Sequence, residues 1–434
     1  MLEILTLHDT TPDIRSYNAI FFENLLSILK TKTKVHTTWI AITPDKLNLS
    51  PSVESGITTL DIHDYKNAVE IIQKVKPDII YVLPGLSVPD YALALAGKFF
   101  KIPVVGPIFG TPFFSIAGIT KVTKSWITQF FQSSVPTDTN EKQKRFMKRG
   151  RFFIYKLLFL LRTQQAIKMS RFQILENFFM LFRVYFRLTQ HYDIEYSKFA
   201  CTLHFVESEK RIEPLVKAGF ERSSIVVTGN PTYDIAFQKI QKFKPHTKND
   251  GKIQVLLLTT NLWGAYGRWT RERRDAAVKG IVTEICNHKD EMSLIVKIHP
   301  SGEILSEYQS LINPIDPSIP VYQKGDVMDF LETSDVVISL SSNTTLVLAL
   351  ITRKPIIIYN VFDIKGDLFL GNGVALECTD ISKLVPSIQQ ILSSNPASEK
   401  KVENFIHEYL YKSDGRATER IGNAILELIE KKQY

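Results

Sequence analysis

Cysteine is scarce in this sequence, and the few cysteines are not spaced for metal binding or disulfide bonds. The chain has 434 residues and three cysteines, Cys201, Cys286 and Cys378, with no CxxC or Cys/His spacing. This pattern supports neither a zinc site nor a disulfide framework, and it favours a reducing compartment. No run of about 18 uncharged apolar residues is present, so we expect no membrane-spanning helix.

Other features are also missing. Glycine and proline number 20 each, which argues against long flexible linkers. The hydrophobic fraction of 44% and the charged fraction of 23% are typical of globular proteins and exclude disordered, collagen-like and coiled-coil classes. No basic segment precedes the first apolar run, so the pattern predicts no secretory signal. The length indicates two domains. The missing signal and spanning helix predict a cytoplasmic protein.

The net charge of +8 is concentrated in one segment. Residues 142–187 contain twelve Lys and Arg residues and one acidic residue, Glu176, so their local charge is +11 and the remainder sums to −3. The same segment holds nine of the 27 phenylalanines. Basic amphipathic helices of this kind lie at membrane surfaces, so we predict a peripheral membrane contact. The cations predicted to make it are Lys148, Arg149, Arg151, Lys156, Arg162, Arg183 and Arg187.

Two other uses of this segment stay open. Its helices could pack on the first domain and leave a solvated cationic face, or they could form a homodimer contact. No recognition motif for nucleic acid accompanies the basic residues, so we do not expect nucleic-acid binding.

Strand patterns alternate with helix patterns in two blocks of the chain. Such alternation predicts right-handed crossovers and parallel sheets. The predicted fold class is α/β, with two Rossmann-like doubly wound domains facing a cleft. We place the first domain at 1–228 with a helical basic-aromatic insertion at about 113–196, the second at 229–405, and C-terminal helices at 406–434.

Polar residues follow predicted strands of the second block, where doubly wound sheets bind their ligands. A run of hydroxyl side chains begins at Ser341 and leads into an apolar helix, an arrangement that suits phosphate. The alternative is that Ser341 or Ser342 only caps the helix. His299 ends a strand and is held extended by Pro300, so its ring could bind or stabilise a departing phosphate. Its alternative is a structural histidine at a sheet edge.

Two further loops are candidates. Gly229-Asn230 lies where the first block passes into the second, so we predict a hinge that also forms the floor of the cleft. Residues 261–269 combine aromatic side chains with Arg268, which suits stacking on a base or sugar and pairing with phosphate. Alternatively, the tryptophans of this loop anchor it in the core.

Four features in this order resemble GT-B type glycosyltransferases, a set that includes nucleotide-sugar 2-epimerases, sialyl- and Kdo-type transferases, and glycerophosphate polymerases. They are Val-Thr-Gly-Asn-Pro-Thr-Tyr-Asp at 227–234, His299-Pro300, Ser341-Ser342, and Lys354-Pro355 followed by an apolar strand. The resemblance extends from about Cys201 to Leu392. It implies a nucleotide sugar as substrate, with neither a cofactor nor an obligatory metal.

The resemblance also implies which residues bind the donor. We predict that these are Thr259, Thr260, Asn261, His299, Ser341, Ser342, Asn343 and Thr344, together with Asn230 and Arg268. One departure concerns the nucleotide. Many relatives carry a Glu-Ala pair in the helix after the hydroxyl run, where the Glu holds the ribose, and here Leu348-Ala349 stands instead. A UDP-linked and a CMP-linked donor therefore both stay open.

A base that activates an acceptor hydroxyl needs a carboxylate or an imidazole within hydrogen-bonding reach. The GT-B resemblance places that base in the first domain, where the loop after the first strand offers His8, Asp9 and Asp13. We predict Asp9, for which the alternative is an Asx-turn or capping role. His299 completes the candidate catalytic set through its contact with the departing phosphate.

The sequence therefore predicts a glycosyltransferase at the cytoplasmic membrane face. It would move a sugar from a nucleotide donor to a hydroxyl of a surface glycan or a lipid-linked acceptor. The alternatives are a nucleotide-sugar 2-epimerase, a cytidine-linked polyol-phosphate transferase, and a non-catalytic GT-B scaffold of a glycan assembly complex.

Overall fold

The structure is a computed structural model that describes most of the chain. The described residues are 1–8, 17–47, 53–54, 56–83, 87–109, 139–185, 201–243, 251–260, 270–300, 303–341, 343, 345–361, 367–393 and 397–432. Side chains are described in all of these except 17–21, 53–54, 139–149, 182–185, 397–398 and 432. Contacts divide the chain into two compact units. The first contains Met1–Phe109, Val135–Thr232 and Arg416–Tyr434, and the second contains Tyr233–Gly415.

The elements alternate along the chain as the sequence predicts. The described strands are β1 Leu2–His8, β2 Val35–Ala41, β3 Val53–Glu54, β4 Ile57–Asp61, β5 Ile79–Tyr81, β6 Val104–Pro107, β7 Leu203–Val206, β8 Ile225–Val227, β9 Ile253–Leu258, β10 Met292–Lys297, β11 Val321–Tyr322, β12 Val336–Ser339, β13 Ile356–Tyr359 and β14 Leu376–Cys378. The described α-helices are α1 Tyr17–Lys32, α2 Ala68–Val75, α3 Val88–Phe99, α4 Thr139–Ala166, α5 Arg171–Tyr185, α6 Ile212–Lys217, α7 Asp234–Ile240, α8 Arg271–Cys286, α9 Leu305–Ile312, α10 Val327–Thr333, α11 Thr345–Ile351, α12 Leu368–Gly371, α13 Leu384–Leu392, α14 Ala397–Leu410 and α15 Ala417–Lys432. Short 3₁₀ helices lie at Ile62–Asp64, Glu209–Arg211, Arg222–Ser224, Pro231–Tyr233 and Ile381–Lys383.

The first unit is built on a doubly wound sheet. Its strand order is β3-β4-β2-β1-β5-β6-β7-β8, and the described pairs are parallel except for the short β3–β4 pair. The chain winds outward from β1 in one direction through β2 and in the other through β5. Buried parallel strands read as apolar runs because both of their faces are covered. This confirms the predicted fold class for the first half of the chain.

Successive residues of β1 supply two different cores. Leu5 and Leu7 join a cluster with residues of α2, α3 and α4, whereas Leu2 and Ile4 join a cluster with α1 and α15. Side chains alternate across a strand, so one apolar run serves both layers of helices. Trp39 is fully buried in the second of these clusters.

The predicted helical insertion lies between β6 and β7, and its described part is the pair α4 and α5. These two helices and the turn between them contribute buried side chains to the core of the first unit, namely Phe159, Leu160, Ile167, Met180 and Leu181. Thr163 Oγ1 accepts a hydrogen bond of 3.0 Å from the N–H of Ala68 at the start of α2. The Tyr155 hydroxyl donates to the carbonyl of Ile62 over 2.7 Å, and the Tyr91 hydroxyl donates to Asn177 over 2.9 Å. The insertion is therefore docked on the sheet's helices by specific polar contacts.

The second unit is also a parallel α/β sandwich. Its sheet has the order β11-β10-β9-β12-β13-β14, and the pairs are parallel in the part of the chain that the structure describes. One face packs against α8, α9 and α13, and the other packs against α7, α10, α11 and α14. The sheet order brings the ends of β10, β9 and β12 side by side.

The last helix belongs to the first unit. Ile421 and Ile425 of α15 are buried in the cluster that contains Phe22 and Leu25 of α1. The side chain of Arg420 donates to the carbonyl of Thr228 over 2.6 Å. By contrast, α14 packs within the second unit. The domain limits given in the sequence analysis stay a prediction.

A search for membrane-spanning segments covers the described residues only. No helix among them is long and apolar enough to cross a bilayer.

Gly97 allows α3 to approach the sheet closely. A Cβ atom at this position would lie 2.7 Å from both Ile80 Cδ1 and Val104 Cγ2, which are buried. We expect Gly97→Ala to lower the free energy of unfolding by about 1–3 kcal/mol through overpacking. Gly150→Ala in α4 is the matched control, because its Cβ would meet nothing within 4 Å. That change should stabilise the helix by about 0.5–1 kcal/mol. Urea unfolding measures both, and equal effects of the two substitutions would contradict the packing.

Candidate functional site

Two consecutive threonines connect the loops at one edge of the second sheet. Thr259 and Thr260 follow β9 directly. The N–H of His299, in the loop after β10, donates to Thr259 Oγ1 over 3.2 Å. The amide of Asn343, in the loop after β12, donates to Thr260 Oγ1 over 3.1 Å. The structure thus brings together three of the segments that the sequence analysis singles out.

A buried carboxylate, Glu303, holds the loop after β10. It accepts hydrogen bonds from the N–H of His299 over 2.7 Å and from the hydroxyls of Thr259 and Tyr308. Only 6% of Glu303 is exposed. A buried charge is tolerated when donors surround it, and here three of them do. Glu303 therefore fixes the position of the His299 backbone relative to β9.

The same network extends to α8. The guanidinium of Arg274 lies 5.0 Å from the centre of the Tyr308 ring and 3.2 Å from a carboxylate oxygen of Glu307. Burial, and next the charge of Glu303, raise the pKa of the Tyr308 hydroxyl, which stays protonated and donates. The amide of Gln323 donates to the backbone carbonyl of Glu303 over 2.8 Å. The loop after β10 is thereby supported from several elements.

Asn343 shapes the hydroxyl loop from within. Its Oδ1 accepts from the N–H groups of Thr345 and Leu346 over 2.9 and 3.2 Å, and so caps α11. Its Nδ2 lies within donating distance of Ser339 Oγ at 3.1 Å, besides Thr260. Both ends of the amide are therefore occupied. Direct contact of Asn343 with a donor stays a prediction.

Ser341 differs from its neighbours. The residue is 2% exposed, and its Oγ has no hydrogen-bond partner among the residues that the structure describes. Its backbone carbonyl accepts from Ser339 Oγ over 2.7 Å. The described contacts assign the capping of α11 to Asn343, not to Ser341. A buried hydroxyl without a partner costs about 1–3 kcal/mol, so a ligand atom that accepts from it would recover that energy.

The remaining predicted donor residues have mixed positions. His299 and Thr260 are half-buried at the sheet edge. Asn230 follows β8 in the first unit, and its side chain accepts from the N–H of Thr232 over 3.0 Å. Gly229 beside it has a φ of +81°, which glycine adopts readily. Asn261, Arg268, Ser342 and Thr344 lie outside the described residues.

Of the predicted base candidates in the first unit, the structure describes His8. Its ring stacks on Trp39 with 3.6 Å between ring centres, and it is 2% exposed. Burial lowers its pKa to about 3, so the imidazole is neutral and a weak proton acceptor near pH 7. Asp9 and Asp13 lie outside the described residues, and the catalytic role of all three stays a prediction.

A second buried carboxyl, Glu207, follows β7 in the first unit. It is 2% exposed and pairs with Arg211, whose Nε lies 3.3 Å from Oε1. Burial raises the pKa of this carboxyl to about 7, although Arg211 lowers it in part. Glu207 therefore changes its charge near neutral pH.

A family model describes more than half of this chain. The model for UDP-N-acetylglucosamine 2-epimerase matches residues 197–426. The chain belongs to the UDP-N-acetylglucosamine 2-epimerase family. The matched range contains both threonines, His299, Glu303 and the hydroxyl loop of the site. No curated protein sequence matches the chain.

Solved structures share the GT-B fold of this 2-epimerase family member at low identity. A putative UDP-N-acetylglucosamine 2-epimerase from Listeria monocytogenes has a TM-score of 0.56 and 16% identity, covering 99% of this chain and 97% of that one. The UDP-GlcNAc 2-epimerase from Neisseria meningitidis, bound to UDP-GlcNAc, has a TM-score of 0.54 and 13% identity, covering 98% and 100%. The wall teichoic acid polymerase TagF has a TM-score of 0.53 and 12% identity, covering 100% and 90%. The resemblance to the GT-B superfamily is confirmed.

Sequence reasoning missed both buried carboxylates of this family member. Glu303 stands four residues after His299, a spacing that could have marked it as a support for the His-Pro loop. Glu207 begins a polar run, Glu-Ser-Glu-Lys-Arg, which reads as solvated surface. Its position directly after a buried strand is the one signal that distinguishes it.

We expect Glu303→Gln to lower the free energy of unfolding by about 1–3 kcal/mol, because an amide nitrogen would face donors that now contact a carboxylate oxygen. Glu291→Gln, an exposed change before β10 at the opposite edge of the sheet, is the control and should stay within about 0.5 kcal/mol. Chemical denaturation compares them. Equal stability of the two variants would show that Glu303 does not hold the loop.

Glu207 should make stability depend on pH. Its pKa is about 7 in the folded chain against an ordinary value of 4.5, so its contribution to stability is fully present below pH 4.5 and is lost as pH rises through about 7. The loss amounts to about 3 kcal/mol. Glu207→Gln removes this term, so its stability relative to wild type should rise over that window, whereas the exposed Glu209→Gln should follow wild type. Parallel curves for all three proteins would contradict the buried environment of Glu207.

Proposed function

We propose that the chain is an enzyme that binds a nucleotide-activated sugar at the Thr259–Ser341 edge of the second unit and transfers the sugar to an acceptor hydroxyl. The observation that carries the proposal is the buried hydroxyl of Ser341, which has no hydrogen-bond partner among the described residues, whereas the side chains of Ser339 and Asn343 beside it are hydrogen-bonded. A phosphate oxygen accepts hydrogen bonds and would satisfy it. Family membership supports an enzyme that acts on a nucleotide sugar.

The rigidity of the site supports ligand binding. Glu303 holds the loop after β10, and Asn343 holds the loop after β12, through hydrogen bonds within the protein. A preorganised site loses less conformational entropy on binding. The imidazole of His299, half-buried at the same edge, is suited to donate to a leaving phosphate.

The residue at position 348 bears on which nucleotide the donor carries. Leu348 is half-buried in α11 and packs against the core of the second unit. An apolar side chain at this position cannot hold ribose hydroxyls as the glutamate of related sequences would. The proposal therefore includes UDP-linked and CMP-linked donors.

The family match favours a second function, 2-epimerisation of a nucleotide sugar. Transfer is our first proposal because the basic, aromatic pair α4 and α5 would have no evident use in an enzyme whose substrate and product are both small and soluble. The fold shared with TagF supports a third reading, a cytidine-linked polyol-phosphate transferase. A scaffold without catalysis would bind none of these donors.

We expect UDP, CMP or CDP, but not GDP or TDP, to raise the melting temperature of the full chain in a thermal-shift assay. At 100 times the Kd, a nucleotide stabilises the folded state by about 2.7 kcal/mol. Ser341→Ala removes a buried hydroxyl without a partner among the described residues, so it should raise the stability of the free protein by up to about 1–3 kcal/mol. It should also weaken nucleotide binding about tenfold, because the ligand would lose a hydrogen-bond donor. Ser339→Ala is the matched control. It loses bonds to the Ser341 carbonyl and to Asn343, so it should lower stability in the absence of nucleotide.

Incubation with UDP-GlcNAc alone, followed by proton NMR of the sugar, separates the activities. Appearance of the 2-epimer without any acceptor would establish the epimerase and refute transfer. Nucleotide release that depends on an added glycan or lipid-linked acceptor would support transfer. If none of the five nucleotides raises the melting temperature, and Ser341→Ala melts at the same temperature as wild type, the proposed site is excluded and the scaffold is favoured.

A further inference from the structure

The outer side of the pair α4 and α5 exposes a set of large apolar side chains. On α4, Ile154 is 57% exposed and Leu158 is 41% exposed. On α5, Phe172, Leu175 and Phe179 are 75%, 69% and 63% exposed. Spacings of four on α4, and of three and four on α5, place each set on one side of its helix. We call these five residues the outer hairpin face.

Packing on the first unit does not account for this face. The inner side of the pair already supplies five buried side chains to the core and makes hydrogen bonds through Tyr155, Thr163 and Asn177. The helices are thus anchored, and their outer side is a second apolar surface. Monomeric proteins usually scatter exposed apolar residues singly, so a row of them along each of two neighbouring helices indicates a binding surface.

Cations accompany the apolar residues. Arg151, Arg162, Lys168 and Arg171 are exposed on the same two helices or on the turn between them, where Glu176 is the exposed acid among the described side chains. On α4, Arg151 and Arg162 lie on the same side as Ile154 and Leu158, given 100° of rotation per residue. The other predicted membrane cations differ. Lys156 is half-buried with its Nζ 4.4 Å from the centre of the Phe152 ring. Arg187 lies outside the described residues, and the side chains of Lys148, Arg149 and Arg183 do as well.

We propose that the outer hairpin face inserts into the interface of an anionic phospholipid bilayer, with Arg151, Arg162, Lys168 and Arg171 contacting lipid phosphates. Apolar side chains among long cationic ones match the layered chemistry of acyl chains below head groups. A second copy of the chain fits less well, because it would place this basic face against an identical basic face, and like charges oppose such pairing. The proposal concerns binding and is independent of the function proposed above.

The test is co-sedimentation of the full chain with vesicles of phosphatidylglycerol and phosphatidylcholine, compared with vesicles of phosphatidylcholine alone. We expect binding to the anionic vesicles that weakens as salt is raised. Phe172→Ser/Leu175→Ser/Phe179→Ser should lower the partition coefficient at least about tenfold, since each change removes a large apolar side chain from the interface. Arg151→Gln/Arg162→Gln/Arg171→Gln should lower it to a similar degree and reduce the salt dependence, since Lys168 remains.

Matched controls remove exposed apolar residues elsewhere. Val216→Ser/Ile235→Ser/Leu392→Ser changes side chains that are 42%, 46% and 37% exposed and should leave vesicle binding unchanged. All substituted positions are exposed, and unfolding curves verify that each variant is folded. Equal binding to both vesicle types, or wild-type binding by the Phe172/Leu175/Phe179 variant, would overturn the proposal. A dimer in sedimentation velocity that this variant loses, without vesicle binding by wild type, would assign the face to a second copy instead.

Discussion

The buried carboxylate of Glu303 is the interaction on which the candidate site depends. An ionised group inside a protein is stable only when donors surround it, and the donors here come from β9, the His-Pro loop and α9. Satisfying one charge therefore fixes three parts of the backbone. Thr260 extends the arrangement to Asn343 and the hydroxyl loop. Ser339 and Asn343 donate to the backbone carbonyl of Ser341, whose own hydroxyl has no partner among the described residues.

The fold was predictable because its signals are local. Apolar runs such as Leu2–Leu7 mark buried parallel strands, and His299 and Ser341 follow strands of one block, so their convergence at one sheet edge follows from topology. The burial of a single polar residue has no such local signal, because it depends on which distant parts of the chain pack against that residue. Glu207 reads as surface from its polar neighbours. The occupation of the Asn343 amide likewise follows from the meeting of two loops that are far apart in sequence.

The loops that this chain shares with its family, and Leu348 where related sequences carry a glutamate, are two separate features of the second unit. The side chain of Leu348 packs against the core, whereas the loops at the sheet edge are held by Glu303 and Asn343. Under the proposed function, a contact to the ribose can therefore change while the residues predicted to bind phosphate are kept. In the same way, α4 and α5 are inserted between β6 and β7 of the first sheet. Their outer surface can therefore serve a binding function that is separate from the site of the second unit.

The return of α15 to the first unit has a consequence for the order in which the chain folds. Its Ile421 and Ile425 cover Leu25 and Phe22 of α1, nearly 400 positions earlier. During synthesis, that apolar surface of the first unit therefore stays uncovered until α15 has been made, whereas the second unit has its described strands and helices by Gly415. Domains otherwise tend to fold from the N-terminus onward as they emerge. In this protein the later unit can be complete first, and the nascent N-terminal half is the part that chaperones would need to protect.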